Sequence, residues 1–86
     1  MYLLELSRTA EAFYTWLYKR DRRFFERIRQ VFISLKEDPF QGKPLKGELK
    51  GCYSYRLGSY RVIYQVVKED KKILILDIAH RREVYR

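Results

Sequence analysis

Side chains alternate sides along a β-strand, and the stretch from Cys52 to Arg86, CYSYRLGSYRVIYQVVKEDKKILILDIAHRREVYR, carries that alternation through three successive segments. In the first, Tyr53, Tyr55 and Leu57 alternate with Ser54 and Arg56. In the second, Tyr60, Val62, Tyr64 and Val66 alternate with Arg61, Ile63, Gln65 and Val67. The third runs from Lys72 to about Ala79, with Leu74, Leu76 and Ile78 on one face and Asp77, Ala79 and, if the strand continues, Arg81 on the other. Gly58-Ser59 supplies a tight turn between the first two, and Glu69-Asp70-Lys71 turns the chain into the last. If the apolar set of each strand faces a core, Ser54, Arg56, Arg61 and Arg81 all fall on the opposite, open face. Guanidinium groups on one sheet face repel each other unless water screens them or an anion sits among them. The face is therefore either a solvated basic surface or a phosphate site.

The chain before this meander supplies what covers its apolar face. Tyr2 to Leu6 reads as a short strand. Ser7 is an N-cap and Glu11 lies early in the helix that follows, where it favours the positive end of the dipole. Ala10, Phe13, Trp16 and Leu17 fall on one side of that helix, which stops near Arg20 and Asp21. Asp21 then caps a second helix whose Phe24, Ile28, Val31, Phe32 and Leu35 recur at helical spacing. The pair is expected to form an αα-hairpin packed on the sheet. Arg20, Arg22, Arg23, Arg27 and Arg29 decorate its outer side, as a solvated face or a nucleic-acid contact. From Asp38 to Gly51 the sequence DPFQGKPLKGELKG is dense in proline and glycine and reads as a loop. Gly42-Lys43 is not a phosphate-binding P-loop, because Pro44 stands where Ser or Thr is required and no strand leads in. Lys43, Lys46 and Lys50 either contact a nucleic-acid backbone or keep the loop soluble. The predicted class is α+β, in the order β-α-α-β-β-β, with the helical hairpin on one face of a small antiparallel sheet and residues 1–86 forming a single domain.

Nineteen Lys and Arg against eleven Asp and Glu give a formal charge of +8, a field that attracts polyanions, nucleic acid foremost. An acidic protein would also fit. A membrane fits least: no apolar run is long enough to span one, and Met1 opens into a strand without a signal sequence, so a cytoplasmic location is expected. Cys52 is the sole cysteine, which excludes an internal disulfide. It is either a nucleophile with His80 as base or a small buried residue. His80 lacks the companion ligands a zinc site needs, and no metal or cofactor is expected.

The element order, the loop ending PLKG, the segment YRLGSYRVIYQV and the ending IAHRREVY together resemble the RelE/ParE toxin superfamily, nearer its RelE ribonuclease branch. The likeness runs from the capped first helix to Tyr85. RelE-like toxins are small basic domains that cut messenger RNA, in many cases in the ribosomal A site, and are held inactive by a cognate antitoxin. The resemblance implies roles for individual residues. Arg61 would stabilise charge on the scissile phosphate, Arg81 would bind phosphate near the leaving group, and Tyr85 would close the site and orient the nucleotide. Arg56 falls where several relatives carry lysine. Ser54 and His80 depart from lysines found in some members. Arg82 and Arg86 are expected as nonspecific phosphate contacts.

The chemistry stands on its own terms as well. RNA carries its nucleophile, the 2′-hydroxyl, beside the bond to be broken, so alignment and neutralisation of the transition state suffice without a metal. Guanidinium groups suit that task, being permanently charged and able to fork two hydrogen bonds onto phosphate oxygens. The base is His80, Tyr85, or a water in a purely electrostatic site. Regular strand parity would turn His80 toward the helices. Three functions follow: a metal-independent, ribosome-dependent endoribonuclease toxin; a ParE-type gyrase-inhibiting toxin; or a noncatalytic RNA- or partner-binding domain.

Overall fold

Two side chains set the positions of both helices in the computed structural model, which describes residues 1–80. Ser7, in extended backbone, accepts a hydrogen bond from the Ala10 N–H at 3.1 Å and opens helix α1, Arg8–Arg20. Its hydroxyl also donates to the Leu76 carbonyl at 2.7 Å, so the cap fastens the helix to the sheet. The Asp21 N–H closes α1 on the Leu17 carbonyl, while its carboxylate accepts from the Phe24 N–H and opens α2, Arg22–Glu37. A helical hairpin results, as the two capping residues predicted.

The strands are β1 (Leu3–Leu6), β2 (Lys43–Pro44), β3 (Cys52–Leu57), β4 (Tyr60–Val67) and β5 (Lys72–His80), in sheet order β1-β5-β4-β3-β2. Gly58, at φ +61°, makes the turn from β3 to β4 in a conformation that favours glycine. The meander β3-β4-β5 is antiparallel, but β1 pairs with β5 in parallel, so the sheet is mixed and not antiparallel throughout. A parallel neighbour requires a long crossover, and both helices lie within the chain that separates these two strands. The loop from Asp38 to Gly51 also holds more structure than its composition predicted: Lys43 and Pro44 pair with Ser54 and Tyr53, and Gly47–Leu49 forms a 3-10 turn. Pro44 is tolerated because β2 is an edge strand.

The third meander strand departs from simple parity. Ile63 pairs with Asp77 while Tyr64 pairs with Ile75, which leaves Leu76 as an extra, bulged residue. Before the bulge the helix-facing residues are Ile73 and Ile75; after it, Ile78. The predicted inward set of Leu74, Leu76 and Ile78 is thus corrected to Ile73, Ile75 and Ile78. Asp77 and Ala79 keep the predicted outer face.

The core joins Ala10 and Leu17 of α1, Ile28, Val31, Phe32 and Leu35 of α2, and Val62, Tyr64, Ile73, Ile75 and Ile78 of the sheet. Phe13 is half-buried, stacked 5.7 Å from Tyr60, but Trp16 is 50% exposed, contrary to its predicted place on the inward side. Each residue advances about 100° round a helix, so Trp16 lies that far from the Ala10–Leu17 stripe and falls at its margin. No described helix is long and apolar enough to cross a membrane.

Candidate functional site

Register decides which side chains meet on the face turned away from the helices. Arg56 lies directly opposite Arg61 across β3 and β4, and Lys43 directly opposite Ser54 across β2 and β3. Because Ser54 and Arg56 are two residues apart on one strand, all four side chains project from the same face. Ile63, paired with Ser54, and Ala79, paired with Arg61, form a buried floor with Cys52. Asp77, opposite Ile63, adds a carboxylate to this face.

A cavity of about 370 Å³ opens here, lined by Gln41, Gly42, Lys43, Ser54, Tyr55, Arg56 and Arg61. Like charges directly opposite each other weaken a sheet, so placing Arg56 across from Arg61 costs stability unless an anion or solvent offsets it. Arg56 is exposed and Arg61 half-buried. Ser54 is only 3% exposed, and its Oγ has no hydrogen-bond partner among the described residues.

The wall of the cavity is a corner of chain held by side-chain hydrogen bonds. The Tyr64 hydroxyl, reaching from the core, donates to the Pro39 carbonyl at 2.8 Å and accepts from the Gly42 N–H at 3.0 Å. Gln41 Nε2 donates to the carbonyls of Ser34 and Asp38, both at 2.9 Å, which ties the corner to the end of α2. Burial pushes the Tyr64 phenol above its ordinary value, and the Gly42 N–H offsets part of that. A Cβ at Gly42 would sit 2.7 Å from the Tyr64 hydroxyl and 3.0 Å from the Ser54 carbonyl, so the corner can close this tightly only with glycine there.

The site therefore brings together Arg56, Arg61, Ser54 and Lys43 of the residues singled out from sequence. Lys46 and Lys50 are exposed, flank the 3-10 turn and do not line the cavity. His80 pairs with Tyr60 and packs edge-on against its ring at 5.4 Å, on the helix side of the sheet. Arg81, Arg82, Tyr85 and Arg86 lie outside the described residues. Burial raises the Cys52 thiol, which disfavours the thiolate a nucleophile needs, and Cys52 shares the outer face while His80 does not. Sequence reasoning missed Gln41 and Gly42 as cavity walls; the only signal was the Pro and Gly spacing around them.

Four arginines of the hairpin are engaged locally. Arg22 stacks over Tyr18 at 3.8 Å, Arg20 over Trp16 at 5.8 Å and Arg27 over Phe24 at 5.7 Å, while Arg29 pairs with Glu26 at 3.3 Å. Among the described residues no cluster of three or more His, Cys, Asp or Glu side chains could hold a metal ion.

Comparison with known proteins agrees with this architecture. Residues 4–85 match the family model described as the ParE toxin of type II toxin-antitoxin systems. The chain is 41% identical over 60 residues to toxin RelG of Mycobacterium tuberculosis, covering 69% of each chain. It is 30% identical over 74 residues to toxin YoeB of a Synechocystis species, covering 80% of this chain and 86% of that one. Among solved structures, the RelBE2 toxin-antitoxin complex of Mycobacterium tuberculosis superposes with a TM-score of 0.79 at 32% identity, covering 93% of this chain and 91% of the other. The YoeB/ParE toxin of Agrobacterium tumefaciens has the same fold, with a TM-score of 0.83 at 24% identity over 91% and 96% of the two chains. Capped hairpin, mixed sheet and near full-length matches converge on one assignment: the chain belongs to the RelE/ParE superfamily of toxins from type II toxin-antitoxin systems.

Proposed function

We propose that this toxin is a metal-independent endoribonuclease that cuts messenger RNA on the ribosome. The observation that carries the reading is the Arg56–Arg61 pair, set directly opposite each other over a cavity that also receives Lys43 and Ser54. Two cations held that close on a partly buried face are suited to a phosphate diester. The 2′-hydroxyl attacks the adjacent phosphorus, the bond to the 5′-oxygen breaks, and the products are a 2′,3′-cyclic phosphate and a 5′-hydroxyl. Negative charge that builds on the phosphate oxygens is met by guanidinium groups already in place, the term on which such catalysis chiefly depends.

Arg61, half-buried and fixed by its place within β4, takes the scissile phosphate. Arg56, exposed, adds charge from β3. Arg81 and Tyr85 are proposed to complete the site at the leaving group and over the nucleotide. His80, packed on Tyr60, is proposed to act as base only if the chain beyond it turns its ring to the outer face; otherwise Tyr85 or a water accepts the proton. A weak base makes the rate depend on how well the RNA is held, and the ribosomal A site is the proposed holder. Lys46 and Lys50, which do not line the cavity, are proposed as contacts to the RNA backbone, and the same role is proposed for Arg82 and Arg86.

The partner proposed for this chain is a cognate antitoxin. Related toxins were solved as RelBE and YoeB-YefM toxin-antitoxin complexes. An antitoxin for this chain would be acidic, matching the +8 charge, and would shield the arginines.

A ParE-type gyrase inhibitor is the second reading, favoured by the description of the matching family. Induced expression separates the two. The ribonuclease reading expects arrest of translation, lost in Arg61→Ala and in Arg81→Ala, with DNA supercoiling by purified gyrase untouched. Arrest that survives both substitutions, or blocked supercoiling, overturns it.

A further inference from the structure

We propose that the cavity grips two successive phosphates of one RNA strand, the second held by the cross-strand pair of Lys43 and Ser54. The inference rests on the ribonuclease reading and adds a subsite to it. Ser54 is the starting point. Its hydroxyl is walled in on a serine only 3% exposed, it finds no partner among the described residues, and it lines the cavity. A buried polar group left in that state is costly, so its natural partner is a ligand oxygen that enters the cavity.

Position separates this pair from the arginines. Lys43 and Ser54 are in register on β2 and β3, whereas Arg56 and Arg61 are in register on β3 and β4, two residues further along. With strands about 4.8 Å apart and about 3.4 Å of rise per residue, the Lys43 and Arg61 backbones are roughly 12 Å apart. Ser54 is flanked by apolar Ile63 on β4 and by Lys43 on β2, so the cation directly beside its hydroxyl is Lys43 and the pair lies to the β2 side of the arginines. The cavity of about 370 Å³ is lined by residues of both pairs, from Lys43 and Ser54 to Arg56 and Arg61, so one strand can run past all four. Lys43 is also well placed to act with Ser54, because the Tyr64 and Gln41 hydrogen bonds fix the corner that leads into β2. A point charge from lysine and a single hydroxyl donor make a looser hold than a guanidinium pair. That suits a phosphate to be positioned and not cleaved.

Binding of oligodeoxynucleotides tests this without cleavage, because they lack the 2′-hydroxyl. A trinucleotide presents two internucleotide phosphates and a dinucleotide one. Ser54→Ala should weaken the trinucleotide about tenfold, the worth of one hydrogen bond to a charged group. Lys43→Gln should weaken it and reduce the slope of log affinity against log salt by about 0.7, as expected for one lost phosphate contact on a single strand. Both variants should bind the dinucleotide within about twofold of the parent, since the arginine pair remains. Lys43 is exposed, so its substitution leaves the fold intact and stands as a control for any folding defect in Ser54→Ala. Equal losses on both probes would mean a single phosphate site, and no loss on either would mean no site; each overturns the proposal. If translation arrest proves independent of Arg61 while the trinucleotide pattern holds, the ribonuclease reading fails and the subsite stands.

Discussion

Replacing Tyr64 with Phe removes one oxygen from the fully buried ring that joins core and site. That oxygen serves two backbone groups: it donates to the carbonyl of buried Pro39 and accepts from the N–H of half-buried Gly42. Tyr64→Phe strands both. A buried group left without its partner costs about 1–3 kcal/mol. Gly42 retains some access to water, so its share falls at the low end, and the sum is about 2–4 kcal/mol. Against a total stability of about 5–15 kcal/mol for a domain of ordinary size, this is a large fraction. For 60–100 residues each kcal/mol moves the melting temperature by about 4–8 °C, so a fall of roughly 8–32 °C is expected. Thermal and urea denaturation followed by circular dichroism of parent and variant would measure it. The trinucleotide should also bind more weakly, because the corner feeding Lys43 into β2 loses its anchor. A variant that melts with the parent would refute the claim that this hydroxyl seats the corner.

Three further outcomes are expected. Gly42→Ala should destabilise by about 1–3 kcal/mol, as overpacking does, because its Cβ would meet a backbone oxygen of Ser54 at 3.0 Å as well as the Tyr64 hydroxyl; an unchanged urea midpoint would show that the contact gives way freely. Ser7→Ala should cost about 1–2 kcal/mol by urea denaturation, since a cap is lost together with the tie to Leu76; a cost below a few tenths would contradict the dual role. Burial raises the phenols of Tyr64 and Tyr14 above 10.0 and the Cys52 thiol above 9.0, so the unfolded chain releases these protons first. Their contribution to stability is whole below pH 9 and declines as pH rises past 9.0 for Cys52 and 10.0 for the tyrosines. Stability measured against pH should therefore fall less steeply above pH 10 in Tyr64→Phe than in the parent, and identical slopes would count against a buried neutral phenol.

Much of the fold is written in local chemistry. Ser7 and Asp21 announce both helix starts because a capping side chain acts within its own turn. The face of β3 and of the start of β4 is equally plain, since Ser54, Arg56 and Arg61 alternate with Tyr53, Tyr55, Tyr60 and Val62, and this puts Arg56 and Arg61 on one face. Ile73-Leu74-Ile75-Leu76 is another matter: four apolar residues in a row carry no parity, so the bulge at Leu76 leaves no mark in the sequence. The parallel pairing of β1 with β5 is likewise a long-range choice between edges. At the site, Ser54 was legible as an outward residue but its burial was not, because that depends on β2 and on the corner tied down by Tyr64 and Gln41. The Tyr64 ties cross 22 residues to Gly42 and 25 to Pro39 and cannot be read from neighbours in the chain.

Guanidinium groups gathered on the outer sheet face are proposed to act on RNA. The most direct measurement is the mapping of messenger RNA ends after induction of the parent and of Arg61→Ala. The parent should generate new ends inside coding regions, with a 5′-hydroxyl on one fragment and a cyclic or opened phosphate on the other, and Arg61→Ala should generate almost none. Growth arrest by the parent with no new ends, or the same ends from both proteins, would contradict it.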